Sequence, residues 1–210
     1  IAWQSAKNSN YKITEELGTL EVKPFTGTIT IKAADAKKAY DGDSLQKTDG
    51  ATAAGLPDGL KVTAVSEGSI TDVGEKDNVI ESYKITDAAG TDVTGYFSNI
   101  TTQNGKLIIT PAELEVITGS KSKAYDGIPL TDERIEVKGL QKQETVTACT
   151  TGSQTEIGNS NNTYEIVWNH AKESNYTIKE TLGTLEVLHS DAGIVFTAQS
   201  AQKEYDGTPL

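Results

Sequence analysis

Short runs of alternating apolar and polar residues recur along this chain. Leu60, Val62 and Ala64 alternate with polar neighbours, as do Leu114, Val116 and Thr118. Ile29-Thr30-Ile31 and Ile135-Glu136-Val137 are shorter versions of the same pattern. Tyr164-Glu165-Ile166-Val167-Trp168 places tyrosine, isoleucine and tryptophan on one face. A period of two is the signature of a strand that buries one face. Turn residues separate the runs: Gly55-Leu56-Pro57-Asp58-Gly59, Val73-Gly74, and Pro111 after Gly105-Lys106-Leu107-Ile108-Ile109. No stretch holds a 3.6-residue period over three turns. The pattern predicts an all-β chain of tandem small antiparallel β-sandwich (Ig-like) domains in an elongated array. β-Grasp-like repeats are the alternative, because alternation alone does not fix strand order.

The domains are marked by one recurring stretch, Lys-X-Tyr-Asp-Gly-X-X-Leu. It contains Lys38, Tyr40, Asp41 and Gly42, then Lys123, Tyr125, Asp126 and Gly127, then Lys203, Tyr205, Asp206 and Gly207. Leu45, Leu130 and Leu210 follow. The tyrosines are 125 − 40 = 85 and 205 − 125 = 80 residues apart, a spacing that marks an array of small domains. Between the first two motifs a gapless offset of 84 aligns Leu56 with Leu140, Val62 with Val146, Val65 with Cys149 and Gly74 with Gly158. Residues 1–22 match 166–187 at an offset of 165, with 15 of 22 positions identical. The expected division is therefore 1–26 as the closing strands of a truncated repeat, 27–113 and 114–190 as complete repeats, and 191–210 as the opening strand of a further one. The two terminal pieces are complementary halves, so strand complementation between two chains is an expected mode of pairing.

Composition narrows the functional classes. The 210 residues carry a formal net charge of −11. No basic stripe exists for nucleic acid or an anionic bilayer, and no apolar run approaches the ~18–20 residues of a membrane span. With one cysteine, Cys149, no intrachain disulfide can form. Cys149 reads as a small buried hydrophobe. His170 and His189 occupy unmatched positions and read as surface residues rather than a metal pair.

The recurring motif reads as a turn. Asp can accept a hydrogen bond from the backbone two residues on, and Gly tolerates positive φ. The tyrosine can bury its ring if its hydroxyl finds a partner. A calcium site needs about 6–8 oxygens, and one Asp per motif falls short. A Lys–Asp isopeptide cross-link at Lys38, Lys123 or Lys203 is a covalent alternative. Trp3 and Trp168 are equivalent at the offset of 165, and Asp87 aligns with them in the first complete repeat. They read as core aromatics, or as a speculative ligand platform on which a sugar ring could stack.

Taken in order, Lys-X-Tyr-Asp-Gly-X-X-Leu, Gly-Leu, Val/Ile-Gly, Tyr-X-Ile, Asn-Tyr-X-Ile and Gly-Thr-Leu-X-Val resemble the YDG/MBG-type tandem repeat of bacterial cell-surface proteins and adhesins. The repeat at 114–190 carries the whole pattern. The one at 27–113 has Gly95-Tyr96 for Asn-Tyr and Gly105-Lys106-Leu107 for Gly-Thr-Leu. The resemblance implies an extracellular or wall-attached protein whose repeats are non-catalytic stalk or spacer modules, without cofactor or metal. Their expected partners are neighbouring repeats of the same chain. A carbohydrate- or protein-binding adhesin module, facing a host or bacterial surface glycan or protein, is the alternative; so is an accessory domain of a surface glycoside hydrolase.

Overall fold

The computed structural model describes residues 10–12 and 14–210. It is nearly all β, with two three-residue 3-10 turns, Thr94–Tyr96 and Glu173–Asn175. Among the described residues there is no α-helix for a sheet to grasp, and no helix long and apolar enough to cross a membrane. Two compact units result. One holds the described residues up to Ala34 with Thr48–Glu67 and Val79–Gly105; the other holds Asp35–Lys47, Gly68–Asn78 and Lys106–Leu210. The boundary cuts through the repeat at 27–113, so compact units and sequence repeats do not coincide.

In the first unit, β1 (Ile29–Lys32) lies between β3 (Thr52–Ala54), antiparallel, and β6 (Ile100–Gln103), parallel. β4 (Lys61–Glu67) pairs antiparallel with the Val79–Thr86 portion of β5 (Gly74–Thr86), with a register shift at Val65/Ser66. Ile29, Ile31 and Ile85 are fully buried at its centre, against Phe25, Leu60, Val62, Phe97 and Ile100. Each such side chain removed from water contributes about 1.5–3 kcal/mol.

The second unit opens with β2 (Ala36–Ala39), parallel to β7 (Gly105–Thr110). Pro111, lacking an N–H, separates β7 from β8 (Ala112–Thr118), whose Ala112, Leu114, Val116 and Thr118 are buried in strict alternation. β8 lies between antiparallel β10 (Ile135–Lys138) and parallel β14 (Tyr176–Thr181). β11 (Val146–Thr150) pairs with β13 (Tyr164–Trp168). β15 (Thr184–Leu188) lies between antiparallel β12 (Gly158–Asn161) and parallel β9 (Lys121–Ala124).

The strands expected from alternation are present, but the sheets are mixed rather than antiparallel. Each parallel pair joins the start of a repeat to its end: β1 to β6, β2 to β7, β8 to β14 and β9 to β15. Alternation has the same period in either direction, so it could not report this. At the crossover points the glycines are obligatory. A Cβ on Gly105 would lie 2.3 Å from the Ala34 carbonyl oxygen, and one on Gly183 would lie 2.1 Å from that of Gly119.

The terminal pieces depart from expectation. Among the described residues of 10–26 only Phe25 forms a bridge, to Phe97, and Leu17, Leu20 and Val22 are exposed. Residues 191–210 form no strand, and Ile194, Val195 and Phe196 are exposed. The same sequence as 18–22 recurs at 183–187, where it supplies most of β15 (Thr184–Leu188) because β9 and β12 flank it. The described residues provide no such flanks here. The part of the expected strands at 1–9 lies outside the described residues.

Candidate functional site

The three Tyr-Asp-Gly motifs fold into one turn. The Asp carboxylate accepts the N–H two residues on, from Asp43 at 2.9 Å, Ile128 at 3.0 Å and Thr208 at 3.0 Å. The motif lysine pairs with the same carboxylate: Lys38–Asp41 at 2.6 Å, Lys123–Asp126 at 2.6 Å, Lys203–Asp206 at 2.8 Å. These partners hold Asp41 and Asp126 below the usual carboxylate range and Asp206 down to about 2, the lysine being the largest cause in each. Gly42, Gly127 and Gly207 take φ of 76°, 77° and 82°, the left-handed region that favours glycine. In the first two copies the motif leucine closes a bridge, Leu45 to Ile70 and Leu130 to Gln154.

What differs is the tyrosine. Tyr205 is 96% exposed and Tyr125 37%, whereas Tyr40 is 6% exposed. Tyr40 is covered by residues of the repeat at 114–190, within the second compact unit. Its hydroxyl donates to Glu144 Oε1 at 2.6 Å, and the Tyr176 hydroxyl donates to Glu144 Oε2. The backbone N–H of Gln141 donates to the Tyr176 hydroxyl at 2.9 Å. The Tyr40 and Tyr176 rings meet edge to face, with centroids 5.6 Å apart, and Tyr176 stacks on Trp168 at 5.9 Å. Leu45, Ile70, Val73 and Leu140 complete the apolar surround. One carboxylate thus satisfies two buried hydroxyls contributed by two repeats. Burial first, and the bond to Glu144 second, push the Tyr40 hydroxyl up to about 12 and raise that of Tyr176 further.

A polar clasp flanks this contact. Asn175, buried at the end of the second 3-10 turn, donates to Asp72 Oδ1 at 2.9 Å and accepts the Val73 N–H at 2.9 Å. Lys172 pairs with Asp72 Oδ2 at 2.9 Å, and Lys142 pairs with Asp43. Asn175 and then Lys172 hold Asp72 below the usual carboxylate range.

Trp3 lies outside the described residues. Trp168 is half-buried, with its ring stacked on Tyr176. The ladders also correct its alignment: Val146 opposes Trp168, and its counterpart Val62 opposes Ile85. The equivalent of Trp168 is therefore the fully buried Ile85, not Asp87. Cys149, expected inside, is exposed on β11, because it falls on the outward phase opposite Glu165. His170 and His189 are exposed, and among the described residues no cluster of three potential metal ligands occurs.

Two features escaped the sequence reading. Glu144 has no repeated signal, since offset 84 places Leu60 at its position. Asn78 and Asn162 are related by the same offset and both fully buried. Asn78 donates to the Lys47 carbonyl at 2.8 Å; Asn162 donates to those of Gly119 and Asp132 at 3.0 and 2.9 Å. Their match at the known offset was a usable signal. No protein-family model matches this chain, and neither the curated proteins nor the solved structures yield a match.

Proposed function

We propose that these residues are non-catalytic stalk or spacer repeats of a bacterial cell-surface or secreted protein, which hold some other domain away from the cell. The observation that carries this reading is the clasp of Tyr40 on Glu144 and Tyr176. A repeat that commits its most regular motif to its neighbour acts as a structural link. The sealed tyrosine and the flanking Asp72–Asn175–Lys172 set give the link both an apolar centre and a polar rim. Such links limit bending between consecutive repeats, which is the mechanical requirement of a spacer. With strands rising ~3.3 Å per residue, β7 and β8, of 6 and 7 residues, each span roughly 20–23 Å.

Small-angle scattering on the whole chain tests the proposal. A rod-like pair-distance distribution is expected, and Tyr40→Ala should make it shorter and broader as the link loosens. A compact particle, or one unchanged by Tyr40→Ala, would refute the spacer reading.

A further inference from the structure

The face that Tyr40 uses is built again around Tyr125, with the same turn, the same ion pair and the same bridge behind it, and there it is open. Two positions set its rim, and one of them changes from charged to apolar. Ile128 stands where Asp43 does, Ile157 where Val73 does, and both are exposed. The Tyr125 backbone N–H is fixed on the Leu188 carbonyl at 2.9 Å.

The receiving side also has a second version, in the first compact unit. Phe97 follows the first 3-10 turn and bridges Phe25, as Tyr176 follows the second and pairs with Ala112. Leu60 replaces Glu144 and Pro57 replaces Gln141 at offset 84. Among the described residues nothing seals this surface. A cleft of about 740 Å³ opens instead, lined by Phe25, Pro57, Leu60, Tyr96 and Phe97, with Asp58 and Ser98 on its lining. Tyr96 is 70% exposed beside it.

We infer that the Tyr125 face of one copy docks into this cleft on a second copy. The occupant is argued from the molecule's own precedent: the counterpart of the cleft, in the other repeat, is filled by a Tyr-Asp-Gly face. The chemistry has shifted on both sides together. Where the donor face has Ile128 in place of Asp43, the receiving face has Asp58 in place of Lys142, and among the described residues Lys23 is the one cation on the cleft lining. Where the receiving face loses the Glu144 carboxylate, Asp58 and Ser98 offer acceptor oxygens to the Tyr125 hydroxyl. The contact uses different patches on the two copies, so it is heterologous and propagates head to tail rather than closing as a symmetric dimer. It does not require the spacer reading to be correct.

The test is sedimentation velocity on the whole chain across a concentration series, with Ile128→Asp as the donor-side variant and Tyr96→Asp as the receiver-side variant. Both positions are exposed, so folding should be preserved, and circular dichroism checks this. The wild type should show a weight-average sedimentation coefficient that rises with concentration. Each variant should weaken this association about tenfold or more, as expected for loss of a central contact. An equimolar mixture of the two variants should form a dimer and nothing larger, since only one intact donor face and one intact receiver face remain to meet. A wild type that stays monomeric at every concentration would overturn the inference. So would association abolished by Phe196→Asp but untouched by Ile128→Asp, which would mean that the chain ends exchange strands instead. Mixed variants that do not recover a dimer would overturn it as well.

Discussion

Replacing Glu144 with leucine removes the one acceptor shared by the Tyr40 and Tyr176 hydroxyls. Both tyrosines are more than nine-tenths buried, so water cannot substitute freely. A buried donor left without a partner costs about 1–3 kcal/mol. Two such donors, offset in part by the apolar surface leucine gains, put the expected loss at ~2–4 kcal/mol, a large share of the ~5–15 kcal/mol typical of a folded domain. The same reasoning predicts rescue. Adding Tyr40→Phe and Tyr176→Phe to Glu144→Leu removes the orphaned hydroxyls, at the cost of the acceptors they offer to the Gln141 N–H and the Asn175 side chain. The triple variant should recover at least half of the loss. The first compact unit already uses this apolar version, with Leu60 and Phe97 at the two positions. The assay is equilibrium urea unfolding, followed by Trp168 emission in a Trp3→Phe background, because Trp168 stacks directly on Tyr176. An unchanged m-value would confirm that the midpoint shift is a stability change. A loss below ~0.5 kcal/mol for Glu144→Leu, within the range of an ordinary surface change, would refute the shared-acceptor account. So would a triple variant no more stable than the single one.

Acid should weaken the clasp through Asp72. Its folded pKa lies below its ordinary 3.8, so its contribution is complete above that value and is lost as pH falls through the folded pKa. Asp72→Asn should flatten the fall in urea midpoint below about pH 4, and an unchanged slope would count against the assignment. Base acts in the opposite sense: Tyr40 has a folded value of about 12 against an ordinary 10.0, so its contribution is complete below 10 and is lost as pH rises toward 12. Ultraviolet titration should find Tyr40 and Tyr164, both raised to about 12, ionising after the exposed tyrosines, with the late absorbance step reduced in Tyr40→Phe. Asn162→Ala should cost ~2–4 kcal/mol in thermal or urea unfolding, because it strands the Gly119 and Asp132 carbonyls in a buried site; a cost within experimental error would show that those carbonyls find other partners. Intact mass should equal the mass of the sequence, since the motif Lys–Asp pairs are open ion pairs on the surface; each cross-link would instead remove one water.

The sequence carried the strands and the turn because both are local. Leu60, Val62 and Ala64 alternate whether β4 has a parallel or an antiparallel neighbour, so their burial was legible and the mixed sheets were not. Asp41 and Gly42 make their turn with atoms two residues away, so the turn was legible wherever the motif recurred. The same motif folds at 203–207 with no sheet behind it, which shows that the turn needs nothing distant. Burial of its tyrosine does need something distant. Tyr40, Tyr125 and Tyr205 are identical in their motif yet range from sealed to fully exposed, because their surroundings come from a neighbouring repeat. Glu144 is 104 residues from Tyr40 and stands where the sister repeat has Leu60. Recurrence therefore located the half of the contact that every repeat carries and missed the half that varies. The misplacement of Trp168 has the same origin. A gapless alignment by tyrosine paired it with Asp87, whereas strand register, set by backbone hydrogen bonds to β11, pairs it with Ile85. The variable half of each contact, Glu144 with Tyr176 against Leu60 with Phe97, is then where one repeat's neighbour can be distinguished from another's. Docking of the Tyr125 face as inferred above would match a donor face with Ile128 at its rim to the second, as the Tyr40 face with Asp43 meets the first, and repeats that share a motif would then not be interchangeable in their order.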